Sequence, residues 1–351
     1  YARLKQEETM KEQLATQIQL PEGFTVRGAT PADAEAAVEM FNIWMQRMAG
    51  QDDLASGDIL REDWGSPRFD PEQDTRLVFS PTGQLVGYIE VWTTSTPPVH
   101  PWIWGRVHPD FGGLGIGTAL MGWAEERACR VLPDLPADLR FAPRTGSLRI
   151  AEDSKRLFED CGFIRIRSSY EMRIEMDEAP PAAIWSEGIT LKTGSHEEIP
   201  AIYRAFEESF RDHFGHIEEP FEEGLARFSH FMKSDGQDPS MWFLAMDGDE
   251  IAGISLCRLE SYSDKEVGWV NILGVRRLWR KRGLGIALLL HSFGEFYRRG
   301  RRKAGLGVDA ENLTGALRLY ENAGMSVHMV FDTYEKTIRG GREISVESLA
   351  E

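Results

Sequence analysis

The stretch Val275-Arg-Arg-Leu-Trp-Arg-Lys-Arg-Gly283-Leu-Gly285-Ile-Ala has the residue types and spacing to grip a ligand. An apolar run, Trp269 to Val275, leads into a turn carrying Arg280, Gly283 and Gly285, and an apolar helical pattern begins at once. Glycines let the backbone approach a bound group closely, and the first turn of a helix presents N–H donors that no helical carbonyl accepts. Such a turn suits an anion, a pyrophosphate above all. Its expected lining is Arg280, Lys281, Arg282, Gly283, Leu284 and Gly285, with the main-chain amides from Arg282 onward as donors and Arg280 adding charge.

The chain contains a second version of this turn. Val107 to Leu120 aligns with Val275 to Leu288, matching Phe111 with Trp279, Gly115 with Gly283, Gly117 with Gly285 and Ala119 with Ala287. Further on, Arg156-Leu-Phe-Glu-Asp-Cys-Gly-Phe163 echoes Arg318-Leu-Tyr-Glu-Asn-Ala-Gly-Met325. Two ordered matches at similar separation indicate duplication of a whole domain rather than a short repeat. The copies differ where a ligand could be touched. Gly112 stands for Arg280, Leu114 for Arg282 and Phe158 for Tyr320, and without a gap Ile150 stands for Asn312. The second half is therefore expected to carry the chemistry.

These residues resemble the GNAT superfamily of acyl-CoA-dependent N-acetyltransferases, and the tandem arrangement looks like its two-domain members, the mycothiol synthases among them. The family turn, Arg/Gln-x-x-Gly-x-Gly/Ala, is met by Arg280, Gly283 and Gly285. A shifted register, Arg282-x-x-Gly285-x-Ala287, also fits, but the first keeps Val275 and Trp279 in step with Val107 and Phe111. The later signature, Asn-x-x-Ala followed by Leu-Tyr-Glu-x-x-Gly, corresponds to Asn312 through Gly324. The two resemblances span about residues 23 to 338.

The resemblance implies acetyl-CoA as cosubstrate, no metal, and the primary amine of a small molecule as acceptor. An amino-thiol conjugate is an alternative acceptor, and a non-catalytic acyl-CoA sensor is an alternative role. It also implies that strands four and five of the second half splay to admit the pantetheine arm, with Gly274 permitting a bulge there. Backbone N–H groups near Leu273 and Val275 would polarise the thioester carbonyl. Tyr320 becomes the general acid for the departing thiolate, though a half-buried helical tyrosine reads the same. Asn312 would bond the pantetheine amide, cap the helix beginning near Leu313, or both. For the general base the resemblance points to Glu266 on the fourth strand, with Glu208, Asp212 and His213 as rivals and a water relay open.

Composition sets further bounds. Hydrophobic residues at 42% and charged residues at 27% describe a soluble protein with material for two cores. A net charge of −16 argues against general nucleic-acid binding. The basic run Arg298-Arg-Gly-Arg-Arg-Lys303 either complements a helix C-terminus or reaches the coenzyme's nucleotide phosphate. No apolar run is long enough to span a bilayer, and no basic-then-apolar signal opens the chain, so no membrane partner is expected. The separated Cys129, Cys161 and Cys257 suit a reducing, cytoplasmic setting, and His213-x-x-His216 alone supplies too few ligands for a metal. A monomer or homodimer is expected.

The elements that must position these residues read as α/β: two tandem GNAT-type domains, each a mixed, mostly antiparallel sheet flanked by helices. Residues 1–22 form an extension, 23–176 the degenerate first domain, 177–187 a proline-rich linker, 188–338 the second domain and 339–351 a tail. Thr30-Pro31 signals a helix start, Pro81-Thr82-Gly83 and Asp247-Gly248-Asp249 signal hairpin turns, and 51–74 reads as a polar loop. A short strand is expected near Leu139, and strands 163–175 and 326–337 are expected to close their own domains.

Overall fold

The computed structural model describes residues 18–54, 56–311 and 315–347, and within them the two halves share one continuous sheet. Its twelve strands are β1 (Thr25–Arg27), β2 (Thr75–Phe79), β3 (Leu85–Trp92), β4 (Trp102–Val107), β5 (Arg144–Leu148), β6 (Ile164–Glu175), β7 (Ile189–Thr193), β8 (Trp242–Asp247), β9 (Glu250–Arg258), β10 (Val267–Val275), β11 (Lys303–Asp309) and β12 (Ser326–Glu335). Their spatial order is β1-β2-β3-β4-β5-β12-β6-β11-β10-β9-β8-β7. Only β4–β5 and β10–β11 are parallel, so each half is a mixed, mostly antiparallel sheet.

Helices cover both faces, which is why β3 and β9 read as nearly unbroken apolar runs rather than alternating ones. In the first half the Ile116–Cys129 helix lays Ile116, Leu120 and Trp123 on Ile89, Val91 and Ile103. Across the sheet, Phe41 of the Ala34–Ala49 helix meets Trp64 and Tyr88. The second half repeats the plan. The Leu284–Arg298 helix buries Leu288, Phe293 and Phe296 against Phe243 and Val270, and Ile202 and Tyr203 of the Ile199–Phe210 helix pack with Trp242 and Ile254 on the other face.

Three expectations are corrected. β6 pairs with β11 along Lys303–Asp309, and β12 pairs with β5 along Arg144–Leu148, so each half's last strand completes the other half's sheet. The fifth strand is Arg144–Leu148, whereas Leu139 makes only an isolated bridge to Arg342. The presumed loop at 51–74 contains the Gly57–Trp64 helix, which buries Leu60 and Trp64. The hairpin turns form as read, with Gly83 and Gly248 at φ of 83° and 59°. The tail is not idle: Arg339 and Arg342 pair with Phe141 and Arg140, and Val346 exchanges backbone hydrogen bonds with Gly215 and His216.

Candidate active site

β10 and β11 pair only over Val267–Val270 and Lys303–Leu306, then part. The register irregularity that starts the parting falls between Val270 and Ile272, at Asn271 and not at Gly274. β11 carries Gly307 at the opening, where an added Cβ would meet nothing within 4 Å. Asn271 Nδ2 is buried without a hydrogen-bond partner. Leu273 and Val275, half-buried, continue the free side of β10 towards the glycine turn.

That turn is built as an anion cradle. Lys281 and Gly283 both adopt left-handed backbone, with φ of 62° and 80°, so successive amides converge on one side. A lysine rarely accepts this conformation, and the first half has Gly113 there, at φ 75°. The exposed Lys281, Arg282 and Gly283 N–H groups donate to no backbone carbonyl among the described residues, and Leu284 and Gly285 open the helix. A Cβ at Gly285 would come within 2.9 Å of Leu319, so glycine also lets the next helix approach. The linker steadies the turn through the Ser186 hydroxyl, which donates to the Arg282 carbonyl.

Arg280 does not face this cradle. Its guanidinium donates to the Val275 carbonyl at 3.1 Å, the Ser209 carbonyl at 2.9 Å and Asp212 at 3.0 Å, tying the turn to the Ile199–Phe210 helix. The Arg298–Lys303 run lies at the other end of its helix, roughly 20 Å from the cradle. There Arg298 and Arg299 pair with Glu295, and Arg301 with Glu260.

Tyr320 sits on the Ala316–Asn322 helix, packed in the core beneath the turn. Burial pushes its phenol up to about 12, so it keeps its proton at any physiological pH. Asn312 lies outside the described residues. Glu266 precedes β10 by one residue, 78% exposed, with Arg301 at 4.0 Å. Nine residues of strand separate it from Val275, roughly 30 Å, so the fold does not bring it to the turn. Glu266→Gln is accordingly expected to leave turnover unchanged in steady-state kinetics.

Glu208 and Asp212 are also engaged elsewhere, Glu208 with Arg276 at 2.7 Å and Asp212 with Arg277 and Arg280. The Arg277 hydrogen bond holds the Asp212 carboxyl below its usual range. His213 is the remaining rival. Its ring lies 4.4 Å from that of Phe210, and burial, then the Arg280 charge, hold it below 6.5, so it is neutral at pH 7. Asp309, at the parted end of β11, is among the charges that act on it.

The halves differ at a place that the turn alone does not reveal. In the second half Gly274 abuts Ser209, whose Cβ would lie 2.9 Å from a Cβ at Gly274 and whose buried hydroxyl has no partner. The equivalent positions in the first half are Arg106, one residue before the end of β4, and Trp44, ten residues into its helix. There the Arg106 guanidinium lies 4.1 Å from the Trp44 ring centroid and 4.5 Å from that of Trp104, with Asp53 at 3.5 Å. Trp44 and Met45 also pack on Leu148 and Ala151, bridging the ends of β4 and β5. The first half thus keeps the glycine cradle but carries Arg106 and Trp44 where the second half has Gly274 and Ser209.

Two cavities of about 490 Å³ each meet at Phe214 and Thr333, which line both. One is bounded by Trp269, Gly307 and Asp309, the other by Trp102, Arg144 and Glu207. No group of three or more metal-ligating side chains occurs among the described residues, and none of their helices is long and apolar enough to cross a membrane.

Parted parallel strands facing an amide cradle at a helix start, present twice, define a tandem acyltransferase. The chain belongs to the acetyltransferase (GNAT) family, whose sequence profile matches residues 37–135 and 199–325. It is 28% identical over 265 residues to a mycothiol acetyltransferase of Streptomyces bingchenggensis, spanning 74% of this chain and 78% of that one. A GCN5-related N-acetyltransferase from Sphaerobacter thermophilus superposes with a TM-score of 0.75 at 35% identity, covering 94% of this chain and all of that one. The N-myristoyltransferase of Saccharomyces cerevisiae, solved with bound myristoyl-CoA, shares the fold at 12% identity and a TM-score of 0.64, covering 97% and 90%. Fold neighbours of this protein thus bind acyl-CoA.

Proposed function

We propose that this protein transfers an acetyl group from acetyl-CoA to the primary amine of a small molecule, and that its C-terminal half performs the reaction. The observation that carries the assignment to that half is the pair Gly274–Ser209, small where the other half has Arg106 stacked on Trp44. Acetyl-CoA supplies an activated thioester, and the residues around the parting of β10 and β11 suit it. Uncommitted amides at Lys281–Gly285 face a diphosphate, and the orphaned Ser209 hydroxyl and Asn271 amide suit the polar groups of an extended arm. Backbone N–H groups at Leu273 or Val275 stabilise charge developing on the acyl oxygen, a contribution of roughly 3 kcal/mol for each such donor.

His213 takes the amine proton, directly or through a water, and Tyr320 protonates the departing thiolate. The reaction breaks the C–S bond and forms a C–N bond; the amine proton ends on His213, the Tyr320 proton on the thiol sulfur, and proton exchange with solvent returns both side chains to their starting forms. Because His213 must be neutral, the acid limb of kcat/KM is expected below pH 6.5. His213→Gln should remove that limb and lower kcat by about 10²-fold, checked by pH–rate profiles of both proteins.

The defining experiment follows free thiol and acetylated amine together while an amine library is offered with acetyl-CoA. Thiol release that requires the amine, one product per thiol, supports the assignment. Coenzyme binding without turnover for every amine would instead favour an acyl-CoA sensor. An amino-thiol conjugate is the second acceptor reading, favoured by the name of the Streptomyces relative, and it belongs in the same library.

A further inference from the structure

The crevice between the halves contains one guanidinium with more donors than partners. Arg144 is 7% exposed, lines the crevice, and gives only Nε to a carboxylate, Glu335 at 2.9 Å. Its Nη2 is buried with no hydrogen-bond partner, and its Nη1 lies against Gly215, 3.1 Å from where a Cβ would sit. A buried, unsatisfied guanidinium is costly, and surrounding structure must hold it. That structure is present. Arg140 shares Glu335 and binds Glu343 at 3.0 Å, and Glu343 accepts from His100 at 3.1 Å.

The tail and the loop fix the remaining wall. Val346 bonds Gly215 and His216, so Phe214 is held at the junction of the two cavities. Arg144 and Arg167 flank its ring at 5.0 and 4.2 Å, but Arg167 is already paired with Asp309 at 2.7 Å. Arg144 alone is left to meet a ligand. Arg140 and Arg144 balance Glu335 and Glu343, and Glu207 and Glu219 also line the crevice. The charge there does not suit a multiply charged phosphate. Among anions, a single planar carboxylate matches the remaining fork of N–H donors and brings the least negative charge beside Glu207 and Glu219.

We propose that the acceptor is an amino acid-like molecule whose carboxylate seats on Arg144 while its amine passes Phe214 towards the parting of β10 and β11. This rests on the acetyl-transfer reading above and names the substrate class for that same site.

The test offers amino acids that carry a side-chain or terminal amine at increasing distance from the carboxylate, their carboxamides and the corresponding decarboxylated amines with acetyl-CoA. For the best side chain, kcat/KM for the acid is expected to exceed that for amide and decarboxylated amine by at least about tenfold. Arg144→Met should bring the acid down to the level of the amide, through KM. Arg144→Lys should restore only part of the preference. Thermal melting of each variant separates loss of recognition from loss of fold, since Arg140 still pairs with Glu335. Amide or decarboxylated amine accepted as well as the acid by the unaltered protein would overturn this inference and leave acetyl transfer standing. Amine-independent behaviour of every compound would overturn both.

Discussion

Tyr320→Phe is expected to lower kcat by about 10²- to 10³-fold while leaving coenzyme affinity nearly unchanged. The substitution removes one oxygen and keeps the ring that packs beneath the turn, so the cradle and the parted strands stay in place. What is lost is the proposed proton donor. A phenol pushed up to about 12 by burial stays protonated across the working range, so the O–H is present when the C–S bond breaks. Without it the thiolate must leave unprotonated or wait for water. Steady-state kinetics beside calorimetric titration with coenzyme read the two quantities separately. Equal turnover in both proteins would remove Tyr320 from the reaction. A large loss of affinity with unchanged turnover would make it part of the coenzyme's packing instead.

The sequence carries the cradle and the core more plainly than the groups that surround them. The cradle is legible because left-handed backbone demands residues such as Gly113, Gly115 and Gly283, and their spacing survives duplication. Lys281 hides part of it, being a lysine in a conformation that glycine takes in the first half. Arg280 illustrates the opposite case. Its residue type suits an anion, but the same guanidinium satisfies two carbonyls and Asp212, and sequence alone cannot choose between those partners. Glu266 lies away from the turn, since a strand has two ends and only the C-terminal one of β10 borders it.

The exchange of β6 and β12 is hidden by the duplication itself. Strands descended from one ancestor present similar edges, so pairing with either half's fifth strand looks alike in the sequence. Only their lengths, twelve and ten residues against five for β5, hint that they run past a single partner. The Gly57–Trp64 helix was obscured by its acidic, polar face, Leu60 and Trp64 being its main apolar anchors.

Introducing the first half's residue into the second, Ser209→Trp, is expected to weaken acetyl-CoA binding by about 100-fold, near 2.7 kcal/mol. The prediction follows from the geometry of the pair. Ser209 faces Gly274 so closely that a single added Cβ would crowd it, and the serine hydroxyl is buried there without a partner. An indole there occupies the space that the parted strands leave open, as Trp44 does beside Arg106 and Leu148. The cradle amides would be untouched, so the loss would report the crevice rather than the turn. On the proposed assignment of the coenzyme to the second half, changes at Gly112 or Gly115 in the first half should leave affinity as it is. Overpacking could lower stability by about 1–3 kcal/mol, and thermal melting distinguishes that from a folded protein that no longer binds. A well-folded Ser209→Trp protein that binds acetyl-CoA normally, or lost affinity on changing Gly115, would move the coenzyme to the first half and reverse the roles of the two copies.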